Sequence, residues 1–495
     1  MGIDMVESKA EVALAEERVE RAAVSDDKLL AANRADQATQ AARLRALKGR
    51  RLLYVSGSGV YPSLGRILKD HVCEMIALGL EVYMVFQSGL EQDKYFEYAR
   101  EHACFHKAVF ADMKGPEAAG NIARAALEAS GGLAFAGAWT PHEATQMLCA
   151  KVQEAMCLSG HDPRCYEVAQ DKYLTRKALA EAGLNTAKAV QIFTTADVAK
   201  AAAVVGFPMI VKPCTGMGSS GVYKVTELAQ LEAVVQRVFS DMSKNWALSQ
   251  KAHAEQAPML AETFIEAQCY GREGLVTEFD VECLFWDGEL VYGKVLDNWK
   301  PTPPYFQDRG FHCPSVAPLD VQEQLIAYCA GCVKAMGFRQ GNFHMEAWMT
   351  STGPVLIECN PRVGGGSIHK SHEKVWGVSP MTNFLMASIG IPINPPRAAA
   401  PQCSYGFMLV NAGKTGTLGD MSFLPEVVHS SAQCVDVIQL KNTGDSVVGI
   451  DTGVPEWLAQ VDFEDAAEST ATMVAEMERV MAQLIDTAAQ RTTTA

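Results

Sequence analysis

Residues 341–366 read GNFHMEAWMTSTGPVLIECNPRVGGG, and this stretch constrains the fold of the chain more than any other. Two mostly apolar runs flank a short turn at Ser351 to Gly353, so a β-hairpin is predicted. Residues two apart in a strand share a face. Glu346 then shares a face with His344, and Glu358 with Asn360. If the strands pair with those faces aligned, Glu346, Glu358 and Asn360 converge. Two carboxylates and an amide oxygen are hard ligands, and magnesium is typically held by one or two carboxylates plus substrate phosphates. Arg362 projects just beyond, followed by Gly364, Gly365 and Gly366. The bland alternative is a half-exposed hairpin with solvated polar groups. It does not explain why a carboxylate interrupts GPVLIEC, because a buried carboxylate needs a partner.

A second stretch, GFPMIVKPCTGMGSSGVYKV at 206–225, starts as an apolar strand, places Lys212 at its end and runs into Gly and Ser. Glycine lets a backbone approach a ligand closely, and successive N–H groups in such a loop form an anion-binding concavity. A lysine beside it supplies a point charge suited to phosphate. Taken alone, the stretch is equally well a hairpin with a Gly-rich turn and a solvated lysine.

The chain has 495 residues, long enough for about three domains. A net charge of −15 argues against a nucleic-acid partner, which needs clustered Lys and Arg. The first residues carry no continuous apolar segment of the secretory kind, and no apolar run approaches bilayer length, so no membrane association is expected. Fourteen scattered cysteines suit reduced thiols, and a cytoplasmic location is the expectation. Cys329 and Cys332 form a lone CxxC in a helical pattern, which reads as helix packing.

Residues 1–48 read as a polar helical extension. From Arg51, RLLYVSG, LKDHVCEMIALG and LEVYMVF form a βαβ pattern, the sign of a parallel sheet over 49–160. GSGVYPSLG after the first strand has the wrong glycine spacing for a dinucleotide loop and reads as a βα loop. Thr140 and Glu143 have capping-box spacing, which makes His142 and Glu143 the start of a helix. VTEFDVECLFWDGELVYGKVL alternates and turns at Asp287-Gly288, another hairpin. Short strands and a closing amphipathic helix fill 396–495. NAGKTG there imitates a phosphate loop but has Met408 where glycine is required.

The order of these features decides the reading: Lys172 on a helix, Lys212 at a strand end, a Gly-rich hairpin, ETFI, EFDVE, then Glu…Glu-x-Asn-x-Arg. This order resembles the ATP-grasp superfamily of carboxylate–amine ligases over about residues 160 to 395. The resemblance implies an α/β (α+β) ATP-grasp fold, with an N-terminal Rossmann-like βαβ domain, an ATP-grasp domain over 161–395 whose lid spans about 190–262, and a mixed C-terminal domain at 396–495. It implies that Lys172 and Lys212 hold nucleotide phosphates and that Gly216, Gly218, Ser219, Ser220 and Gly221 cover them. Glu262, Thr263, Phe264 and Ile265 match the segment whose backbone meets adenine. Glu278 matches the ribose-binding acid, with Glu282 as the rival. Glu346, Glu358 and Asn360 match the metal ligands. Arg362 matches the arginine that stabilises an acyl phosphate and the tetrahedral intermediate.

Within the superfamily the chain looks most like the L-amino acid ligase and carnosine synthase branch, on its length, NPRVGGG, RGFHCPS and C-terminal strands. Arg309 and His312 in that second loop are expected to reach a substrate carboxylate, and Gly364, Gly365 and Gly366 to leave an open wall for a bulky substrate. The resemblance implies ATP and Mg2+ (or Mn2+), a small carboxylate and an amine as substrates, ADP and phosphate as products, and a homodimer as a possible assembly. The alternatives are an ATP-dependent carboxylase or purine-pathway enzyme and, from another class, a non-catalytic nucleotide-binding module.

Overall fold

The computed structural model describes residues 26–56, 72–89, 94–216, 221–244, 259–301, 306–451, 455–466 and 469–493. The GSGVYPSLG loop and Gly218, Ser219 and Ser220 of the Gly-rich loop lie outside them. Of the N-terminal extension, helices Asp26–Ala31 and Gln37–Arg45 are described.

The apolar runs that alternate with helices in the first third give a parallel sheet of β1 (Arg51–Val55), β2 (Glu81–Gln87), β3 (Lys107–Ala111) and β4 (Gly137–Trp139), in the order β3-β2-β1-β4. In such a sheet ligands meet the carboxyl ends of the strands where the order reverses. Here that place lies beside the ends of β1 and β4, next to the loop that begins at Thr140.

A smaller antiparallel sheet follows: β5 (Ala189–Ile192), β6 (Met209–Pro213), β7 (Tyr223–Val225) and β8 (Met259–Thr263), ordered β5-β8-β6-β7. Helices Val198–Val205 and Leu228–Lys244 cover one face, where Val190, Ala201, Val211, Val235 and Ala261 form a separate core. The opposite face carries Lys212 and Glu262 from neighbouring strands. Thr194 and Asp197 reciprocally cap the single turn Thr195–Asp197 that runs into the first helix, as a Thr three residues ahead of an acid leads one to expect.

The largest layer is an eight-stranded antiparallel sheet. It contains β9 (Val276–Trp286), β10 (Glu289–Trp299), β11 (Gly310–Cys313), β12 (Gly341–Thr350), β13 (Gly353–Asn360) and β14 (Ser404–Asn411), and extends through β16 (Cys434–Gln439) and β18 (Trp457–Asp465). Two-residue strands β15 (Gly416–Thr417) and β17 (Ser446–Val447) pair apart from it. The order is β13-β12-β9-β10-β11-β14-β18-β16. Asp287 and Gly288 both take left-handed φ, 51° and 81°, which is the two-residue turn that joins β9 to β10. β11 pairs with β14 from Gly310–Met408 to Cys313–Tyr405, so the strands after residue 395 continue the sheet that carries the metal-ligand hairpin.

One face of this sheet is apolar. Phe279, Val281, Phe285, Met345, Ala347 and Leu356 pack with Cys329 and Cys332 of helix Leu319–Ala335, so the CxxC is helix packing. Helix Thr470–Arg491 buries Met473, Met477, Val480 and Leu484 against the C-terminal strands. The NAGKTG loop closes on the chain end: Lys414 Nζ donates to the Thr492 carbonyl at 3.3 Å, and the Thr417 and Thr493 backbones pair. Among the described residues no helix is long and apolar enough to cross a membrane.

Candidate active site

The site grows from the other face of the large sheet. The hairpin forms as its sequence predicts, with β12 and β13 joined by Ser351 and Thr352. Glu346 stands directly opposite Glu358, and His344 opposite Asn360. A bulge makes this possible. Ala347 pairs with Leu356, so Ile357 is an extra residue in β13. In a regular strand that kept all of these residues, Glu358 and Leu356 would share one face. With the bulge, Leu356 enters the core while Glu358 joins Glu346.

β9 adds a second row. Asp280 lies opposite Glu346 and Glu282 opposite His344, so Glu278, Asp280 and Glu282 share the face of Asn342, His344, Glu346 and Trp348. Lys172, at the start of helix Lys172–Glu181, reaches into this row. Its Nζ lies 3.1 Å from Glu358 Oε2 and 3.3 Å from the Gly216 carbonyl. Burial opposes its charge, but Glu358 and then Glu143 hold its pKa above the ordinary lysine value. Burial raises the Glu358 carboxyl, against the pull of Lys172. The Asn360 amide lies 3.3 Å from Glu346 Oε1.

Lys212 forms the other half of the cationic arrangement. Its Nζ meets Glu262 Oε1 at 2.5 Å, and Arg176 Nε meets Glu262 Oε2 at 2.9 Å. All three residues are buried. Burial alone would raise the Glu262 carboxyl, yet Arg176 and Lys212 bring it down to about 2. Arg176 also donates to the carbonyl of the bulged Ile357 at 2.8 Å, which links the smaller sheet to the hairpin. Beyond Glu262, the Thr263 and Phe264 N–H groups donate to the Lys188 and Pro208 carbonyls.

Arg362 closes the site toward the N-terminal domain. Its guanidinium donates to Glu143 Oε2 at 2.8 Å and to the Val363 carbonyl at 3.1 Å. Burial disfavours its charge, but Glu143 more than offsets this. Reading Glu143 only as a helix start is therefore corrected. Residues 143–145 do form a single turn, but Thr140 does not complete a capping box. Its hydroxyl accepts from the His142 N–H at 3.1 Å, while the Glu143 carboxylate faces Arg362.

Glu278 and Glu282 separate clearly. Both oxygens of Glu282 are bonded in the interior, to Asn342, His344 and the Gly364 N–H. Glu278 keeps partial exposure, with Trp348 Nε1 at 2.6 Å from Oε2 and Asn298 Nδ2 at 3.4 Å from Oε1.

Three expectations fail. His312 pairs with Asp297 across β10–β11 and points to the face opposite Glu278. Its Nδ1 accepts from Trp299 Nε1 at 2.9 Å and its Nε2 lies 3.1 Å from Asp297 Oδ2, in the interior. Arg309 turns toward the C-terminal helix, where its guanidinium meets the Lys300 carbonyl and Met481 Sδ. The open glycine wall is open only at Gly365. A Cβ on Gly364 would lie 2.7 Å from His344 Nδ1. One on Gly366, where φ is +58°, would lie 2.6 Å from Phe407.

Sequence reasoning missed four groups. Arg176 was marked by its place one helical turn after Lys172, and Asp280 by the period of two after Glu278. Asp308 is the loop residue that reaches the site in place of Arg309. It shares the Asn298 amide with Glu278, and burial, then Glu346, raises its carboxyl to about 7. Glu143 gave no signal beyond its type.

Among the described residues no group of three or more His, Cys, Asp or Glu is arranged to hold a metal ion. The facing pair Glu346 and Glu358 with the Asn360 amide nevertheless fits a divalent cation that takes its remaining ligands from phosphate. The chemistry of the donors is hard, and a lysine ammonium already sits against Glu358.

Comparison with known proteins agrees with this geometry. The profile of a family described as an ATP-grasp domain matches residues 205–370. Residues 205–370 are thus similar to an ATP-grasp domain. The match runs from β6 through the hairpin and the Arg362 loop. Carnosine synthase 1 from Gallus gallus is 28% identical over 216 residues, 44% of this chain and 22% of that protein. Alanine–anticapsin ligase from Bacillus subtilis (strain 168) is 27% identical over 242 residues, 48% of this chain and 50% of that protein. The chain thus spans about half or less of the length of these curated relatives. Among solved structures, L-amino acid ligase from Bacillus licheniformis superposes with a TM-score of 0.68 at 19% identity, over 88% of this chain and 97% of that one. That likeness shows a shared fold that extends beyond the matched segment.

Proposed function

We propose that the chain is an ATP-dependent ligase that activates a small carboxylate as an acyl phosphate and joins it to an amine, releasing ADP and phosphate. The observation that carries this reading is the facing Glu346–Glu358 pair with Lys172 on one side and the Arg362 guanidinium on the other. Cations and paired carboxylates around one cleft suit phosphoryl transfer, which is mainly positioning and charge stabilisation. Curated relatives named carnosine synthase, alanine–anticapsin ligase and dapdiamide A synthase support amino acids as substrates.

In this reading Lys172 and Lys212 bind the nucleotide phosphates, the Thr263–Ile265 backbone meets adenine and Glu278 takes the ribose. Glu346, Glu358 and Asn360 would hold magnesium, which when bound there would neutralise phosphate charge. Arg362 donates to the oxygens that gain negative charge as the acyl phosphate forms and the amine attacks. No enzyme nucleophile is needed.

The test is a matrix of amino acids scored for phosphate release, with nucleotide and product identified by mass spectrometry. ADP and an amide product in equal amounts are expected. Stoichiometric AMP and pyrophosphate would overturn the reading.

A further inference from the structure

The backbone of residues 362–364 is held from below by a buried set of side chains, Glu282, Asn342 and His344, of which His344 also lies 3.6 Å from Glu346 Oε1. The Arg362 carbonyl accepts twice, from Asn342 Nδ2 at 3.0 Å and from the His344 N–H at 3.1 Å. Two residues on, the Gly364 N–H donates to Glu282 Oε1 at 3.0 Å. The same oxygen lies 2.7 Å from His344 Nδ1, and Oε2 accepts from Asn342 Nδ2 at 2.6 Å. Glu282 and Asn342 are both fully buried. Gly364 fits because it has no Cβ: one there would lie 2.9 Å from Glu282 Oε1.

We propose that Glu282 is a positioning residue, which holds the Arg362–Gly364 backbone and thereby aims the Arg362 guanidinium at the reaction centre. Three donors converge on its two oxygens, so only a carboxylate satisfies all of them. A glutamine has one acceptor oxygen and would turn its own N–H2 toward a donor, leaving at least one buried group unpaired. The loop would then lose its anchor while β9 and β12 keep their ladder. The part of this inference that concerns Arg362 in catalysis rests on the ligase reading above; the anchoring of the loop does not.

The experiment has two arms. In hydrogen exchange of the full-length protein, Glu282→Gln is expected to speed exchange of the peptide covering 362–366 by about tenfold or more, the scale on which supporting residues act, with the remaining strands unchanged. In kinetics, the same variant should lower kcat by about tenfold or more, with KM for ATP within about twofold. Combined with Arg362→Ala it should cause no further loss, because residues that act as one unit are not additive. Should Glu282→Gln fail to fold, Asn342→Ala removes the second hold on the Arg362 carbonyl and enters the same two arms. Unchanged exchange in the loop, or losses that multiply with Arg362→Ala, overturns the proposal. A wild-type chain without substrate-dependent ADP release sinks the ligase reading instead, and the exchange arm alone then decides whether Glu282 anchors the loop.

Discussion

Glu262 shows how the cationic half of the site stays folded without a ligand. Two buried cations share its carboxylate, Lys212 at 2.5 Å and Arg176 at 2.9 Å. Removing either partner from a buried group is costly because the other is left uncompensated. The effect on pH dependence has a definite sign. The folded carboxyl sits at about 2 against an ordinary 4.5, so its contribution is complete above pH 4.5 and is lost as pH falls toward 2. Such a difference corresponds to about 3 kcal/mol. The acid limb of a stability curve for Glu262→Gln should therefore be flatter than that of the wild type between those values. Parallel limbs would show that Glu262 is not held ionised by its two partners.

At the scale of elements, the loop 362–366 invites a sharper experiment than the sequence suggested. Only Gly365 opens onto free space, whereas Gly366 combines a φ of +58° with Phe407 against its Cβ position. Gly365→Trp should lower turnover of the best substrate severalfold while ATP binding and melting temperature hold. Gly366→Ala should lower the melting temperature itself. A Gly365→Trp enzyme with unchanged turnover would remove this loop from the substrate pocket. The same region shows why some features were legible and others were not. The alternation around Glu346 and the Asn360–Arg362 spacing are local, and the period of two suffices to read them. His312 and Arg309 failed because side-chain direction on the short β11 depends on its partners β10 and β14, which are distant in sequence. Glu143 was illegible for the same reason, since its partner lies 219 residues away.

The molecule as a whole does not divide where the composition changes. The sheet that bears the hairpin runs on through β14, β18 and β16, and β11 stands between the two halves. A chain ending at residue 395 would turn β11 into an open edge and uncover Phe311, which stacks on Phe407 at 4.6 Å between ring centroids. Residues 1–395 expressed alone should therefore lack a cooperative melt, whereas an autonomous ATP-grasp domain would melt sharply and bind ATP. The N-terminal domain is tied in as well, through the Glu143–Arg362 pair and the Gln146 amide on the Pro361 carbonyl at 2.9 Å.

The bulge at Ile357 has a genetic consequence. Ile357 is the one residue of β13 between Glu346's partner and Ala347's partner that has no opposite number. Losing that single codon would make Leu356 and Glu358 consecutive residues of an unbulged ladder, still on opposite faces, so Glu358 would keep its place beside Glu346 and Leu356 its place in the core. Conservative exchange to valine should be silent, because the group used there is the backbone carbonyl that Arg176 contacts. In a library of single-residue deletions and substitutions across 353–360, position 357 should tolerate many side chains and also a deletion, whereas deletion of Cys359 should abolish activity, because Glu358 and Asn360 would then fall on opposite faces. An inactive deletion at 357 beside active substitutions would mean that the backbone carbonyl Arg176 contacts, and not the pairing alone, holds the two carboxylates in place.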